Sequence, residues 1–320
     1  TDRPSIPRCS AFEFDEVSAA EPTEFELYYR AGEHEYRYAL SVHADAIVSE
    51  GLWRRKLGAS RTALLFEREG AEVELGPTLR KLVTAARFNP RLPYLSFLCI
   101  NFDAPVVKEA ASWFLDGVFL NYNSSYLEQM LEQLLDEDDS PEVSRFLRAV
   151  DVRIDGFRVE RAPEWRGQRV FVRHEVGGKA YELRLSEESA GTQKLMGLAA
   201  YLMTALERGG TVVVDELDAK LHPKLLRYVI LLFKDPEVNK SGAQLIFSSQ
   251  DVSTMRNDVF RRDEIWFAAR GEGEASQLWS LADIHEANGN LVSKNAAFDK
   301  QYLSGRYGAD PYLTRIEEWD

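Results

Sequence analysis

The run Thr211-Val212-Val213-Val214-Asp215-Glu216 constrains this chain more than any other stretch. A β-branched apolar segment of this kind reads as a buried parallel strand, because the side chains on both of its faces must leave water. Its two terminal carboxylates then emerge at the C-terminal tip, in the crevice where ligands of open α/β sheets bind. Two adjacent acids at such a tip suit different tasks. Asp215 is placed to hold a divalent cation, usually through water, and Glu216 to orient or deprotonate an attacking water. A strand ending in Asp-Glu also occurs for structural reasons alone, so the flanking segments decide.

Upstream stands Glu188-Ser189-Ala190-Gly191-Thr192-Gln193-Lys194, followed by an apolar-rich run from Leu195 to Leu206 without Gly or Pro after Gly197. This predicts a helix that crosses one face of the sheet and leaves Ser189 and Gly191 near the strand's C-terminal edge. A helix N-terminus attracts anions, because its free N–H groups and its dipole both point at the ligand. Downstream, Leu217-Asp218-Ala219-Lys220-Leu221-His222-Pro223 leads into a second helix with Leu225, Leu226, Val229, Ile230 and Phe233 on one side. Pro223 falls near its first turn, where a missing N–H costs nothing, and His222 is expected to shape the helix start.

Taken in order, signature-like loop, helix, acid-tipped (Walker B) strand, Asp-containing loop and helix resemble the second half of an ABC-type nucleotide-binding head. The resemblance implies that Ser189 and Gly191 contact the γ-phosphate of ATP held by an opposite subunit. It implies further that Asp218 couples the two sites, that Asp215 binds Mg²⁺ and that Glu216 is the hydrolytic base.

Two departures from that pattern stand out. Gln244-Leu245-Ile246-Phe247-Ser248-Ser249 reads as the next buried strand, and the following position, where family members usually carry His, is Gln250. Neutral Gln can donate a hydrogen bond to a phosphate oxygen but cannot carry charge or shuttle a proton, which implies slow turnover. The phosphate cradle Gly-x-x-x-x-Gly-Lys-[Ser/Thr] (Walker A) has no match in the sequence. Gly177-Gly178-Lys179-Ala180 comes nearest but has Arg173 in place of the first Gly and Ala180 in place of the hydroxyl, and it reads as a hairpin turn. The expectation is that an N-terminal piece carrying Walker A has been removed, is disordered or sits outside this numbering.

With 320 residues and 45% hydrophobic content, the chain can bury one large core or two modest ones. No apolar run of about 18 residues points to a membrane span, and the two cysteines, Cys9 and Cys99, read as free thiols in a cytoplasmic protein. Against 39 Lys and Arg stand 52 Asp and Glu, a net charge of -13, so the surface as a whole repels a nucleic-acid backbone. Any DNA contact must come from a local patch or another chain. The basic clusters Trp53-Arg54-Arg55-Lys56 and Arg261-Arg262 read equally as edge charges that discourage sheet pairing or as phosphate sites.

Along the chain, residues 1–78 read as an antiparallel β part, a meander in which Phe25-Leu27-Tyr29 and Tyr36-Tyr38-Leu40 alternate with polar residues. Residues 79–151 read as a helical lid, with helices over Val106 to Phe119, Tyr126 to Leu135 and Val143 to Val150. The acidic Leu135-Asp136-Glu137-Asp138-Asp139 reads as a solvated helix end. Residues 152–285 hold the core motifs, including a hairpin around Gly271 and Gly273, and 286–320 form a tail. Meander, lid and tail together resemble bacterial stand-alone ATPases of the AAA15 type, the ABC-like family that includes abortive-infection ATPases. The resemblance implies an α/β P-loop NTPase head that binds ATP and Mg²⁺, forms a homo-oligomer through ATP-sandwiched heads and controls a separate anti-phage effector such as a Toprim nuclease. A DNA-clamping repair head of the RecF or SMC type, a transporter motor and an ATP-binding scaffold with little turnover are the alternatives. No heptad run is long enough for the coiled-coil arm of chromosome-maintenance relatives.

Overall fold

The computed structural model describes residues 10–84, 86–121, 141–150, 154–161, 168–286 and 289–309. They form two compact units, Thr1–Leu115 with Glu272–Ala275 and Asp116–Gly271 with Ser276–Asp320. The expected helix from Tyr126 to Leu135, the acidic tract after it and Cys9 lie outside the described residues.

In the first unit a short helix α1 (Glu16–Ala20) is capped by Asp15, whose carboxylate accepts from the amides of Val17 and Ser18. An antiparallel meander follows, β1 (Thr23–Ala31), β2 (His34–His43), β3 (Ala46–Lys56), β4 (Ala63–Glu69) and β5 (Glu72–Leu75), paired in that order. Tyr29 faces Tyr36, and Tyr38 is flanked by Leu27 and Leu52. Period-two alternation therefore gathers these side chains with Phe66 on one face. That face packs on α2 (Tyr94–Asn101) and α3 (Pro105–Asp116) through Leu95, Leu98, Val106, Val107 and Ala110. Each of these buried Leu and Val side chains contributes about 1.5–3 kcal/mol. Because β3 is an interior strand, its basic cluster does not guard an edge. Arg55 instead pairs with Glu35, and Lys56 with Glu33 at 3.4 Å.

The expected helix from Val106 to Phe119 proves shorter. α3 stops at Asp116, and β6 (Val118–Asn121) follows Gly117. A short apolar run such as Val118-Phe119-Leu120 fits either period, and parallel pairing with a strand more than ninety residues away decides it. Next come α4 (Pro141–Ala149) and an antiparallel three-stranded sheet, β7 (Gly156–Arg161), β8 (Gln168–Val176) and β9 (Lys179–Arg184), with Gly177 and Gly178 in the expected hairpin turn. Helix α5 (Ala190–Arg208) starts at its Ser189 cap and ends on left-handed Gly209. β10 (Thr211–Asp215), α6 (Pro223–Lys234) and β11 (Gln244–Phe247) complete the layer, in parallel order β11-β10-β6.

The core of the second unit gathers Leu195, Leu198 and Leu202 of α5, Val212 and Val214 of β10, Leu226, Val229 and Ile230 of α6, and Phe146 and Leu147 of α4. β11 is shorter and less buried than its sequence implies. It is the outer strand of the described sheet, and Ile246 remains 55% exposed. The hairpin β12 (Trp266–Arg270) and β13 (Ser276–Ser280) and the helix α7 (Phe298–Leu303) share a smaller core of Phe267, Leu281, Val292, Phe298 and Tyr307. Among the described residues no helix is long and apolar enough to cross a membrane.

Candidate active site

β10 enters the core with Thr211, Val212 and Val214 buried and leaves it at Asp215 and Glu216, both exposed at its C-terminal tip. The tip is fixed by the neighbouring strand. Ser248, just past β11, donates its hydroxyl hydrogen to Asp215 Oδ1 at 2.5 Å, and its Oγ accepts from the Glu216 amide at 2.8 Å. Its backbone extends the ladder, with Ser248 N–H donating to Val214 O and Leu217 N–H to Ser248 O. One hydroxyl thus uses its donor on the Asp215 carboxylate and one lone pair on the Glu216 backbone amide. Ser248 was invisible as a site residue in the sequence, because its partner lies on another strand 33 positions away.

Glu216 sits at φ 53°, in the left-handed region that residues other than Gly adopt rarely, and Lys220 repeats this at φ 62°. Between them Asp218 accepts from the Gln250 amide at 3.2 Å through Oδ2. Its Oδ1 is buried and accepts no hydrogen bond among the described residues. Gln250 itself is exposed, so its backbone holds Asp218 while its side chain faces solvent.

At the start of α5, Ser189 caps the helix by accepting from the Thr192 amide at 3.1 Å. Gly191 packs so closely that a Cβ there would lie 3.0 Å from the Lys220 carbonyl oxygen. Burial along the helix begins at Lys194, only 4% exposed, whose Nζ donates to Glu216 O at 2.9 Å and Ala219 O at 2.5 Å. Burial pushes this ammonium down to about 8, against the attraction of the Asp218 carboxylate. Just before the cap, Glu188 meets His174 of β8 at 2.7 Å, and Gln193 donates to the Glu188 carbonyl at the same distance. At the far end of the loop His222 caps α6, its Nδ1 accepting from the Lys224 amide.

The structure thus brings Asp215, Glu216, Asp218 and Gln250 together through Ser248 and the Gln250 backbone amide, and sets Gly191, two residues past the Ser189 cap, against the same loop. Sequence reasoning missed Lys194 and Ser248. For Lys194 a signal existed, a lone cation at the point where the helix turns wholly apolar. Among the described residues no group of three or more His, Cys, Asp or Glu could hold a metal on its own. Mg²⁺ does not need one, since it is commonly bound by one or two carboxylates together with water and substrate phosphates. The exposed Asp215 carboxylate, with one oxygen taken by Ser248, fits that mode.

No curated protein matches the chain. Among solved structures it is similar to the SMC head domain from Thermotoga maritima at 13% identity and a TM-score of 0.32, over 78% of this chain and 74% of that one. It is similar also to the Smc head domain of Pyrococcus furiosus bound to the C-terminal domain of ScpA, at 12% identity and a TM-score of 0.36, over 78% and 77%. A third similarity, at 15% identity and a TM-score of 0.32 over 48% of this chain and 83% of the other, is to an SMC ATPase described with ATP-driven dimerization. Among the described residues a parallel β11-β10-β6 layer in one unit and an antiparallel β1–β5 sheet in the other make the chain mixed α/β. Over residues 8–256, most of its length, the chain matches and belongs to the family described as "AAA domain, putative AbiEii toxin, Type IV TA system".

Proposed function

We propose that the chain is the ATP-binding and hydrolysing head of a bacterial anti-phage system, which dimerises on ATP and controls a separate effector such as a Toprim nuclease. The observation that carries this is the neighbourhood at the end of β10, where two exposed acids, the Asp218 loop and the first turn of α5 meet. Asp215 would hold Mg²⁺, which when bound neutralises charge on the nucleotide's phosphate oxygens. Glu216 orients the attacking water and accepts its proton. Ser189 and Gly191 face the γ-phosphate held by a second copy, Gln250 donates a hydrogen bond to a phosphate oxygen, and Asp218 links the two sites. The abortive-infection role draws on the family description and the AAA15-like organisation of the sequence.

Charge favours a protein effector over DNA as the main partner. The net charge is -13, and several side chains of the basic clusters pair within the chain, Arg55 with Glu35 and Lys56 with Glu33 among them. Arg261 pairs with Asp263 and Glu264, and Arg262 donates to the Val292 carbonyl.

The test is Glu216→Gln in the full-length protein. It should bind ATP as the parent does and turn it over at least about a hundredfold more slowly, as loss of a positioned base typically does. Parental hydrolysis by that variant would remove Glu216 as the base and, with it, this assignment of the site.

A further inference from the structure

Lysine is seldom buried unless its ammonium is satisfied, and Lys194 is buried with its Nζ on two backbone carbonyls, those of Glu216 and Ala219. Both belong to the loop that carries the hydrolytic acid and Asp218. The loop's own bonds are two short turns, from Ala219 N–H to Glu216 O and from Leu221 N–H to Asp218 O, and the segment after β11 adds three links, Leu217 N–H to Ser248 O, Glu216 N–H to Ser248 Oγ and Gln250 N–H to Asp218 Oδ2. It must nonetheless hold two non-glycine residues, Glu216 and Lys220, at positive φ. Such a conformation persists only where the surroundings over-determine it. Helix α5 supplies that constraint from one side. Lys194 binds the carbonyls at 216 and 219, and Gly191 lies under the carbonyl at 220.

We infer that Lys194 is a positioning residue of the hydrolytic site, tying the Glu216–Lys220 loop to the helix whose first turn carries Ser189 and Gly191, so that the signature turn and the hydrolytic acid move as one piece. The role rests on Glu216 being the base and deepens that assignment. An apolar side chain at 194 fills the same space but takes the Lys194 donor from the Ala219 carbonyl and leaves the Glu216 carbonyl only the Ala219 N–H, and the loop is then free to relax away from its left-handed geometry. The burial that pushes the ammonium down accords with a cation kept for its hydrogen bonds and not for exchange with solvent.

The experiment compares Lys194→Met, Lys194→Arg, Glu216→Gln and the Lys194→Met/Glu216→Gln double variant in the full-length protein. Lys194→Met should lower kcat at least about thirtyfold while the Kd for ATP stays within about threefold. In nucleotide-free protein, amide exchange at Leu217, Ala219 and Leu221 should quicken at least about tenfold, with β10 and the interior of α5 unchanged. Lys194→Arg keeps the charge and several donors and should recover kcat to within about fivefold of the parent. On the Glu216→Gln background the methionine should cost less than about threefold more, since two residues acting as a unit are not additive. Parental kcat in folded Lys194→Met, unaltered loop exchange or full multiplication of the two losses would overturn the inference. If Glu216→Gln itself hydrolyses normally, the base assignment fails instead, and loop exchange still decides whether Lys194 holds the loop. Should Lys194→Met not fold, Lys194→Gln, with one shorter donor, is measured in the same way.

Discussion

Asp218 and Gln250 show how little of a site needs to be side chain on side chain. The Asp218 carboxylate accepts from the Gln250 backbone N–H, and its other, buried oxygen has no hydrogen-bond partner among the described residues, so substitution at 250 leaves the contact to Asp218 in place. Gln250 can therefore be changed without disturbing the loop, and its exposed side chain is available for phosphate chemistry. Histidine there adds a group that carries a proton near neutral pH, which an amide cannot. Gln250→His should accordingly raise steady-state ATP turnover above the parent. A drop would identify Gln250 as a working part of the native site, and no change would place it outside the chemistry. The same scale explains why Asp215 and Glu216 are held as a pair. One hydroxyl, Ser248, ties the Asp215 carboxylate and the Glu216 backbone to the neighbouring strand.

Among elements, α2 illustrates a helix whose start is made elsewhere. Pro93 at its cap position offers no side-chain bond, and the free amides of Tyr94 and Leu95 are taken instead by the Glu50 carboxylate of β3, at 2.6 and 3.0 Å. Glu50 is only 2% exposed and also accepts from Tyr38 Oη and Arg68, itself buried. Burial pushes the Glu50 carboxyl up, and those hydrogen bonds oppose it. Glu50→Ala removes the cap and leaves Arg68 buried without its counter-charge, so it should cost about 3–5 kcal/mol in denaturant unfolding; a loss below about 1 kcal/mol would mean that the carbonyls of Gly70, Pro90 and Leu92 satisfy Arg68 by themselves. No local pattern around Tyr94 announces this cap, because the capping residue lies 44 positions away. α5 is the opposite case. Ser189, the apolar spacing from Leu195 and Gly209 mark its start, its buried face and its stop within one window of sequence. β10 was legible for the same reason, whereas β6, four residues long, was not, since only its pairing with β10 distinguishes it from the end of α3. The acids and the signature turn could be read from local order, while Ser248 and the burial of Lys194 depend on which strand and loop lie next to them in space.

For the molecule as a whole, ATP is expected to act between copies. The ABC-like order of its motifs implies that the first turn of α5 contacts a phosphate held by another copy, so the sites are proposed to form in pairs across an isologous interface. Ser189 is exposed at the very start of α5, where a long cation obstructs closure by bulk without entering the core. Ser189→Arg also removes the cap to the Thr192 amide, a loss of about 1 kcal/mol that a thermal melt registers separately. With ATP and Mg²⁺ present, light scattering of the full-length Glu216→Gln protein should report a dimer, because slow hydrolysis preserves the closed state. The same protein carrying Ser189→Arg should remain a monomer while its ATP affinity stays within a few-fold. Equal association of the two would mean that the start of α5 does not lie at the interface, and the pairing of heads around nucleotide would have to use another surface.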